Sequence, residues 1–242
     1  MTALIDGDIL VYVVGYASDD VNEHQATSRV LRTFNTIINA TQSSNYRMFV
    51  SDSRGNFRNK LFPLYKANRT APKPVHYQHI TNVLLDKLGA EVTFGEEADD
   101  ALGILSSAYS DSIIVSIDKD LLQVPGLHYN WRTSKYTHIT EAEGRHRFWS
   151  QVLTGDTTDN ITSRVGLSCP GVGAVKAAKI LEWCSTNEEY YHSTRSAYKT
   201  YLPDYDDVEI DARLELTAQL VHIRRKAGHI WSVNDIQEQM GG

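Results

Sequence analysis

Apolar stretches of strand length recur at Ala3-Leu4-Ile5, Arg47-Met48-Phe49-Val50 and Ile113-Ile114-Val115-Ser116-Ile117. Such continuous runs suit strands of a parallel sheet that is buried on both faces. Helical spacing lies between them. Val30, Leu31, Phe34, Ile37 and Ile38 follow one apolar face, and Tyr77, Ile80, Val83, Leu84 and Leu88 follow another that ends at Gly89, a suitable C-cap residue. The alternation predicts an α/β domain with a central, mainly parallel sheet flanked by helices. "HYNW" and "KYTHIT" read as a short strand pair joined through Arg132–Ser134. Beyond about residue 150 the texture changes to helices and glycine turns, and Ala212, Leu216, Leu220 and Ile223 mark a further amphipathic helix. We expect an α/β domain over residues 1–154 and a small helical lobe over 155–242 packed onto it, without internal repeats or long linkers.

Composition changes this picture little. Of 242 residues, 41% are hydrophobic and 22% charged, which excludes a disordered chain. No run approaches the roughly 18 apolar residues of a membrane span. "MTALIDGD" has neither a basic start nor a long apolar run, so no signal peptide is expected. Cys169 and Cys184 are too few and wrongly spaced for a zinc knuckle, and free thiols in a reducing cytoplasm are expected. The net charge of −6 is unevenly spread. Residues 54–73 carry Arg54, Arg58, Lys60, Lys66, Arg69 and Lys73 with no acid, whereas residues 91–120 carry eight acids.

The acids have a pattern. Asp6, Asp52 and Asp118 each follow a strand candidate, and open α/β sheets bind ligands outside the carboxyl ends of their strands. Asp8 and Asp120 stand two residues beyond, on a shared face if the chain stays extended. In "GEEADDALG" Glu96, Glu97, Asp99 and Asp100 crowd a helix expected to begin near Gly95, and "GDTTDN" adds Asp156 and Asp159. Acids in a first helical turn gain about 0.3–1 kcal/mol from the helix dipole. That accounts for two of the four at the helix start, and says nothing of the strand ends. Hard divalent cations take oxygen ligands, and two Mg²⁺ or Mn²⁺ ions in an acidic site are common equipment for phosphodiester hydrolysis.

"FRNKLFPLYKANR" interleaves Arg58, Lys60, Lys66 and Arg69 with Phe57, Phe62 and Tyr65. A solvated amphipathic helix and a phosphate track with base-stacking aromatics both fit it. Pro63 interrupts any helix there. "CPGVGAVKAAKIL" places Gly171 and Gly173 before a helix bearing Lys176 and Lys179, a turn suited to phosphate.

In order along the chain, "IDGD", "SDSRGNFR", "YKANR", "EEADDALG", "SIDKDLLQVP", "GDTTDN" and "PGVGAVKAAKIL" resemble the flap endonuclease and 5′-3′ exonuclease family, in particular its short phage-type enzymes and the nuclease domain of bacterial DNA polymerase I. The resemblance spans Asp6 to about residue 182 and implies a PIN-like α/β fold with a basic arch over about residues 53–74. It implies Asp6, Asp52, Glu97, Asp99 and Asp100 at a first metal and Asp118, Asp120, Asp156 and Asp159 at a second. Lys66 resembles the family's catalytic lysine, Tyr65 a base-stacking residue, and Arg58 and Arg69 phosphate contacts. Asp8 and Glu96 match no family position. The glycine turn resembles a helix–hairpin–helix element that grips duplex DNA around a potassium ion, although the connection from Asn160 to Gly171 is longer than usual. The implied protein is a monomeric 5′ nuclease in the host cytoplasm, acting in replication, primer removal or repair on DNA with a 5′ flap, nick or free 5′ end, with RNA–DNA primer hybrids among its substrates. A PIN-type ribonuclease and a non-catalytic DNA-junction-binding protein are the alternatives.

Overall fold

In the computed structural model, which describes residues 1–52 and 54–238, six strands and ten helices alternate along the chain. They are β1 (Thr2–Asp6), α1 (Gly7–Tyr16), α2 (Glu23–Thr41), β2 (Asn45–Val50), α3 (Phe57–Leu61), α4 (Tyr77–Leu88), β3 (Glu91–Val92) and α5 (Ala98–Ala108). They continue as β4 (Ser112–Val115), β5 (Gly126–Asn130), β6 (Lys135–Ile139), α6 (Glu141–Thr154), α7 (Ala174–Ile180), α8 (Asn187–Tyr201), α9 (Asp207–Val221) and α10 (Asn234–Glu238).

The chain divides into two compact units. The first comprises Met1–Asn56, Ala71–Thr140 and Ile223–Ala227; the second comprises Phe57–Thr70, Glu141–His222 and the residues from Gly228. This differs from one boundary near residue 154. Helix α6 opens the second unit because Phe148, Trp149, Val152 and Leu153 bury themselves among helical neighbours there. A short return, Ile223–Ala227, goes back to the first unit.

The first unit holds the sheet, in the order β3-β2-β1-β4-β5-β6, parallel throughout except for the β5–β6 hairpin. Side chains alternate between two cores, as strand geometry requires. Ala3, Ile5, Met48, Val50, Ile113 and Val115 join α1, α2 and α4 on one face, while Leu4, Phe49 and Ile114 join Ala98, Ala101 and Leu102 of α5 on the other. Each fully buried aliphatic chain of this kind contributes about 1.5–3 kcal/mol. Helix α2 starts at a reciprocal Asn22–Gln25 cap, and α4 ends at Gly89 in the left-handed conformation (φ 59°), as its sequence foretold.

In the second unit α6, α8 and α9 surround one aromatic core. Trp149 stacks parallel to Tyr190, and the buried Tyr198 hydroxyl donates to the Val152 carbonyl at 2.8 Å. Cys169 lies in this core, where burial pushes its thiol up to about 12, the environment of an inert structural cysteine. Helix α9 bears out the predicted helix and shifts its buried face, with Leu216 packed against the core. Its buried residues are Ile210, Leu214, Thr217, Ala218, Leu220 and Val221; Ala212 is exposed, and Ile223 lies beyond the helix, in the first unit's core. Among the described residues no helix is long and apolar enough to cross a membrane.

Candidate active site

Asp6 ends β1 at the centre of the sheet and caps α1, its Oδ1 accepting from the Ile9 N–H at 3.1 Å. Its Oδ2 accepts from the Ser116 hydroxyl at 2.7 Å, and Ser116 Oγ in turn accepts from the Asp118 N–H at 2.9 Å. Asp118 Oδ1 then accepts from the Asp120 N–H at 2.8 Å. One line of hydrogen bonds therefore links two strand-end aspartates across β1 and β4. Asp6 is only 1% exposed, and its carboxyl is raised to about 7, first by burial and next by the charge of Asp8, with Asp118 adding to it.

The extended i, i+2 pairing expected of Asp6 with Asp8 and of Asp118 with Asp120 does not form, because the chain turns helical after each first member. Asp8, in the first turn of α1, instead accepts from the Ser51 N–H at 3.0 Å and so ties α1 to the end of β2. Asp52 accepts from the Arg54 backbone N–H at 2.9 Å and its Nε at 2.7 Å. The backbone bond, then the guanidinium, holds the Asp52 carboxyl below the usual range.

The crowded acids at the start of α5 are held by protein donors. Asp100, fully buried, accepts from the Glu97 N–H at 3.1 Å and from the Arg224 N–H at 3.1 Å. Glu97, at the N-cap, accepts from Asn56 Nδ2 at 3.1 Å, and the Ala98 N–H donates to Ser51 Oγ at 2.9 Å. Glu96 pairs with Arg224 Nη1 at 3.2 Å. Asp99 lies half-buried in the helix's first turn. The sequence pattern assigned Ser51, Ser116 and Arg224 no role at the site. A serine beside each strand end was a local signal; Arg224 had none.

Among the described residues no three His, Cys, Asp or Glu side chains are grouped so as to hold a metal ion by themselves. The donor set still fits a hard divalent cation: all are carboxylate oxygens, and ionising the buried Asp6 beside Asp8 and Asp118 is costly until a positive charge offsets it. Magnesium is commonly held by one or two carboxylates together with water and substrate phosphate, so a complete protein cage is not required. The raised Asp6 carboxyl gives a signed expectation. With a free value of 3.8 and a folded value of about 7, its contribution to stability is fully present below 3.8 and lost as pH rises to 7. In EDTA-treated protein, stability should fall between pH 5 and pH 8 by on the order of 2–4 kcal/mol more than in Asp6→Asn. Parallel melting curves for the two proteins would refute this assignment.

In the second unit "YKANR" is stitched to "GDTTDN". The Tyr65 hydroxyl donates to Asp159 Oδ2 at 2.8 Å, Arg69 Nη2 donates to Asp159 Oδ1 at 2.5 Å, and Lys66 Nζ lies 3.7 Å from Oδ2. Lys66 has a left-handed backbone (φ 57°) fixed by its N–H donating to the Asp159 carbonyl at 2.9 Å. Asp156 accepts from the Thr158 N–H at 2.6 Å. Asp156 and Asp159 thus have protein partners inside this unit.

Two expected DNA contacts are corrected. Tyr65 is 4% exposed and its ring belongs to the aromatic core, so it has no face to offer a base. Arg58 is 1% exposed and its guanidinium donates to the carbonyls of Leu220 at 2.9 Å and His222 at 2.7 Å, closing the C-terminus of α9. The segment Phe57–Thr70 is therefore packed into the second unit rather than standing free as an arch. Arg69 stays half-exposed. At the glycine turn, Gly171 (φ 68°) adopts a conformation that favours glycine, Gly173 caps α7, and Lys176 and Lys179 are exposed.

A family model described as "5′-3′ exonuclease, N-terminal resolvase-like domain" matches residues 1–148. The chain is 27% identical over 213 residues to a 5′-3′ exonuclease of Buchnera aphidicola, covering 78% of this chain and 72% of that one. Among solved structures it is similar to the T5 5′-exonuclease with bound zinc, at TM-score 0.64 and 14% identity over 91% of this chain and 89% of that chain. It is also similar to the bacteriophage T5 flap endonuclease in a pseudo-enzyme–product complex with DNA and metal ions, at TM-score 0.62 and 13% identity over 98% and 95% of the two chains.

Proposed function

Because the chain belongs to the 5′-3′ exonuclease family, we propose that it is a divalent-metal-dependent, structure-specific 5′ nuclease that hydrolyses DNA phosphodiester bonds at or near a free 5′ end. The observation that carries this reading is the buried Asp6 carboxyl at the sheet's carboxyl edge, raised by burial and by Asp8 and hydrogen-bonded through Ser116 toward Asp118. In this reading Asp6, Asp52, Glu97, Asp99 and Asp100 line the region of one Mg²⁺ or Mn²⁺ ion, and Asp118 and Asp120 that of a second, each ion taking one or two of them together with water and substrate phosphate. Bound there, such ions lower the pKa of the attacking water and stabilise the entering and leaving oxygens. The protein's part is to fix the carboxylates: Ser116 orients Asp6, the Asp120 N–H orients Asp118, and the Glu97 and Arg224 N–H groups orient Asp100. The natural substrate is a flapped or nicked duplex, and the setting is replication, primer removal or repair in the cytoplasm by a monomer.

In the second unit we assign Asp159 to positioning: it fixes the Lys66 backbone and lies beside its ammonium, which serves the scissile phosphate. Gly171, Gly173, Lys176, Lys179 and Arg69 serve the DNA backbone, with K⁺ at the glycine turn. Lys66→Ala should lower turnover about 100-fold, the scale of one lost electrostatic stabiliser, while leaving flap affinity within about threefold. Weaker binding with unchanged turnover would make Lys66 a clamp. Matched DNA and RNA 5′ flaps test the substrate class: preferential cleavage of the RNA flap would favour the ribonuclease reading, and binding without cleavage the junction-binding one.

A further inference from the structure

The turn from β3 to α5 carries Phe94 at the carboxyl edge of the sheet, where its side chain is 71% exposed. Single exposed apolar side chains are ordinary on a protein surface, so exposure alone decides nothing. Two further observations set this ring apart. The first is its mounting. Thr93 is buried, its N–H donates to the Val50 carbonyl at 3.0 Å, and its hydroxyl donates to the Glu96 carbonyl at 2.8 Å. On the other side Gly95 is left-handed (φ 73°) and forms a β-bridge with Asn56. The second is a cation. The Arg54 guanidinium lies over the ring, 5.5 Å from its centroid, and pairs with Asp52 at 2.7 Å. A single guanidinium therefore stands between Phe94 and a carboxylate of the acidic site.

We propose that Phe94 is a stacking platform for one unpaired nucleobase of the DNA strand, placed beside the acidic site, with Arg54 backing the ring. The proposal rests on the nuclease reading above and names one part of its substrate. Bases inside a duplex already have both faces covered, so only an unpaired nucleotide can offer one to the ring. Every base has such a face, and stacking on an aromatic side chain tolerates any sequence. The bonds of Thr93 and the bridge at Gly95 fix the turn before DNA arrives, so little freedom is lost on binding. Arg54, anchored on Asp52, holds the ring through a cation–π contact. A protein interface would set the ring in a wider apolar patch, whereas its neighbours here are Thr93, Gly95 and Arg54.

The test measures binding of the purified full-length chain, in Ca²⁺, to 5′-flap duplexes that each carry one abasic site at a successive unpaired position. Each flap is checked for integrity afterwards, and a blunt duplex is the control. Phe94→Ala should bind the intact flap about tenfold more weakly, and Phe94→Trp should stay within about threefold of the wild type. Arg54→Ala should lose about threefold. In the wild type one abasic position should cost about tenfold, and in Phe94→Ala that same position should cost nothing further. Affinity of Phe94→Ala for the blunt duplex should match the wild type, as should its melting temperature, since the ring is exposed. Unweakened flap binding by Phe94→Ala overturns the proposal. So does an abasic penalty that survives in Phe94→Ala at every position, an equal loss on blunt duplex, or a wild type that binds no flap. A wild type that shows the expected coupling yet cleaves nothing in Mg²⁺ sinks the nuclease reading alone and leaves the stacking platform standing.

Discussion

Replacing Asp118 by asparagine should reduce DNA cleavage by about 100-fold or more while leaving the fold intact. An asparagine Oδ1 can still accept from the Asp120 N–H, as Asp118 does at 2.8 Å, so the turn after β4 survives and only the negative charge is removed. Losing that charge also lowers one of the repulsions that raise the Asp6 carboxyl. The melting temperature should therefore hold or rise slightly. Asp99→Asn, in the first turn of α5, should behave alike. Undiminished turnover in both variants would remove these carboxylates from the chemistry. A collapse of the far-ultraviolet circular dichroism would instead show that their role is in folding.

Arg58→Ala should act in the opposite way, with a large loss of stability and little direct effect on DNA. The guanidinium donates to two carbonyls at the end of α9, and its removal leaves both acceptors in a region where Arg58 itself is 1% exposed. Breaking a buried, charge-assisted pair of this kind costs about 3 kcal/mol or more, roughly 6–12 °C in melting temperature for a chain of this size. If Arg58 contacted a phosphate instead, the variant would melt normally and its DNA binding would lose about one unit of salt-dependence slope. Melting curves and binding at several salt concentrations separate the two.

These two residues show what the sequence could and could not convey. Asp118 was legible because a parallel strand buried on both faces leaves a continuous apolar run, and the residue after such a run is marked by position. Arg58 was not, since a basic residue among aromatics looks the same whether it faces solvent or closes a helix 162 residues later in the chain. Helix α1 was missed for a related reason. "ILVYVVGY" is apolar on all sides and carries no helical periodicity, although Asp6 as its N-cap was a signal. Helix α8 also had one, the Thr186–Glu189 capping box. In α9 Leu220 is buried and Leu216 packs against the core as the spacing predicted, but the fully buried row runs through Ile210, Leu214 and Ala218 and Ala212 is exposed, so periodicity alone found the helix and only part of its buried face.

The carboxylates of "GEEADDALG" make the same distinction at one site. Their number and crowding were plain in the sequence and pointed to a counter-charge. The structure supplies part of that counter-charge from the protein, as two backbone N–H groups on Asp100 and a guanidinium on Glu96. Arg224, 128 residues from Glu96, leaves no local trace by which it could have been found.

The central claim, a metal-dependent 5′ nuclease, is tested most directly on a 5′-flap duplex labelled at either end of the flapped strand and incubated with purified protein in Mg²⁺ or in EDTA. Products cut at or near the junction and from the 5′ end are expected in Mg²⁺, and none in EDTA. An intact flap in both Mg²⁺ and Mn²⁺, or cleavage that persists in EDTA, would contradict it.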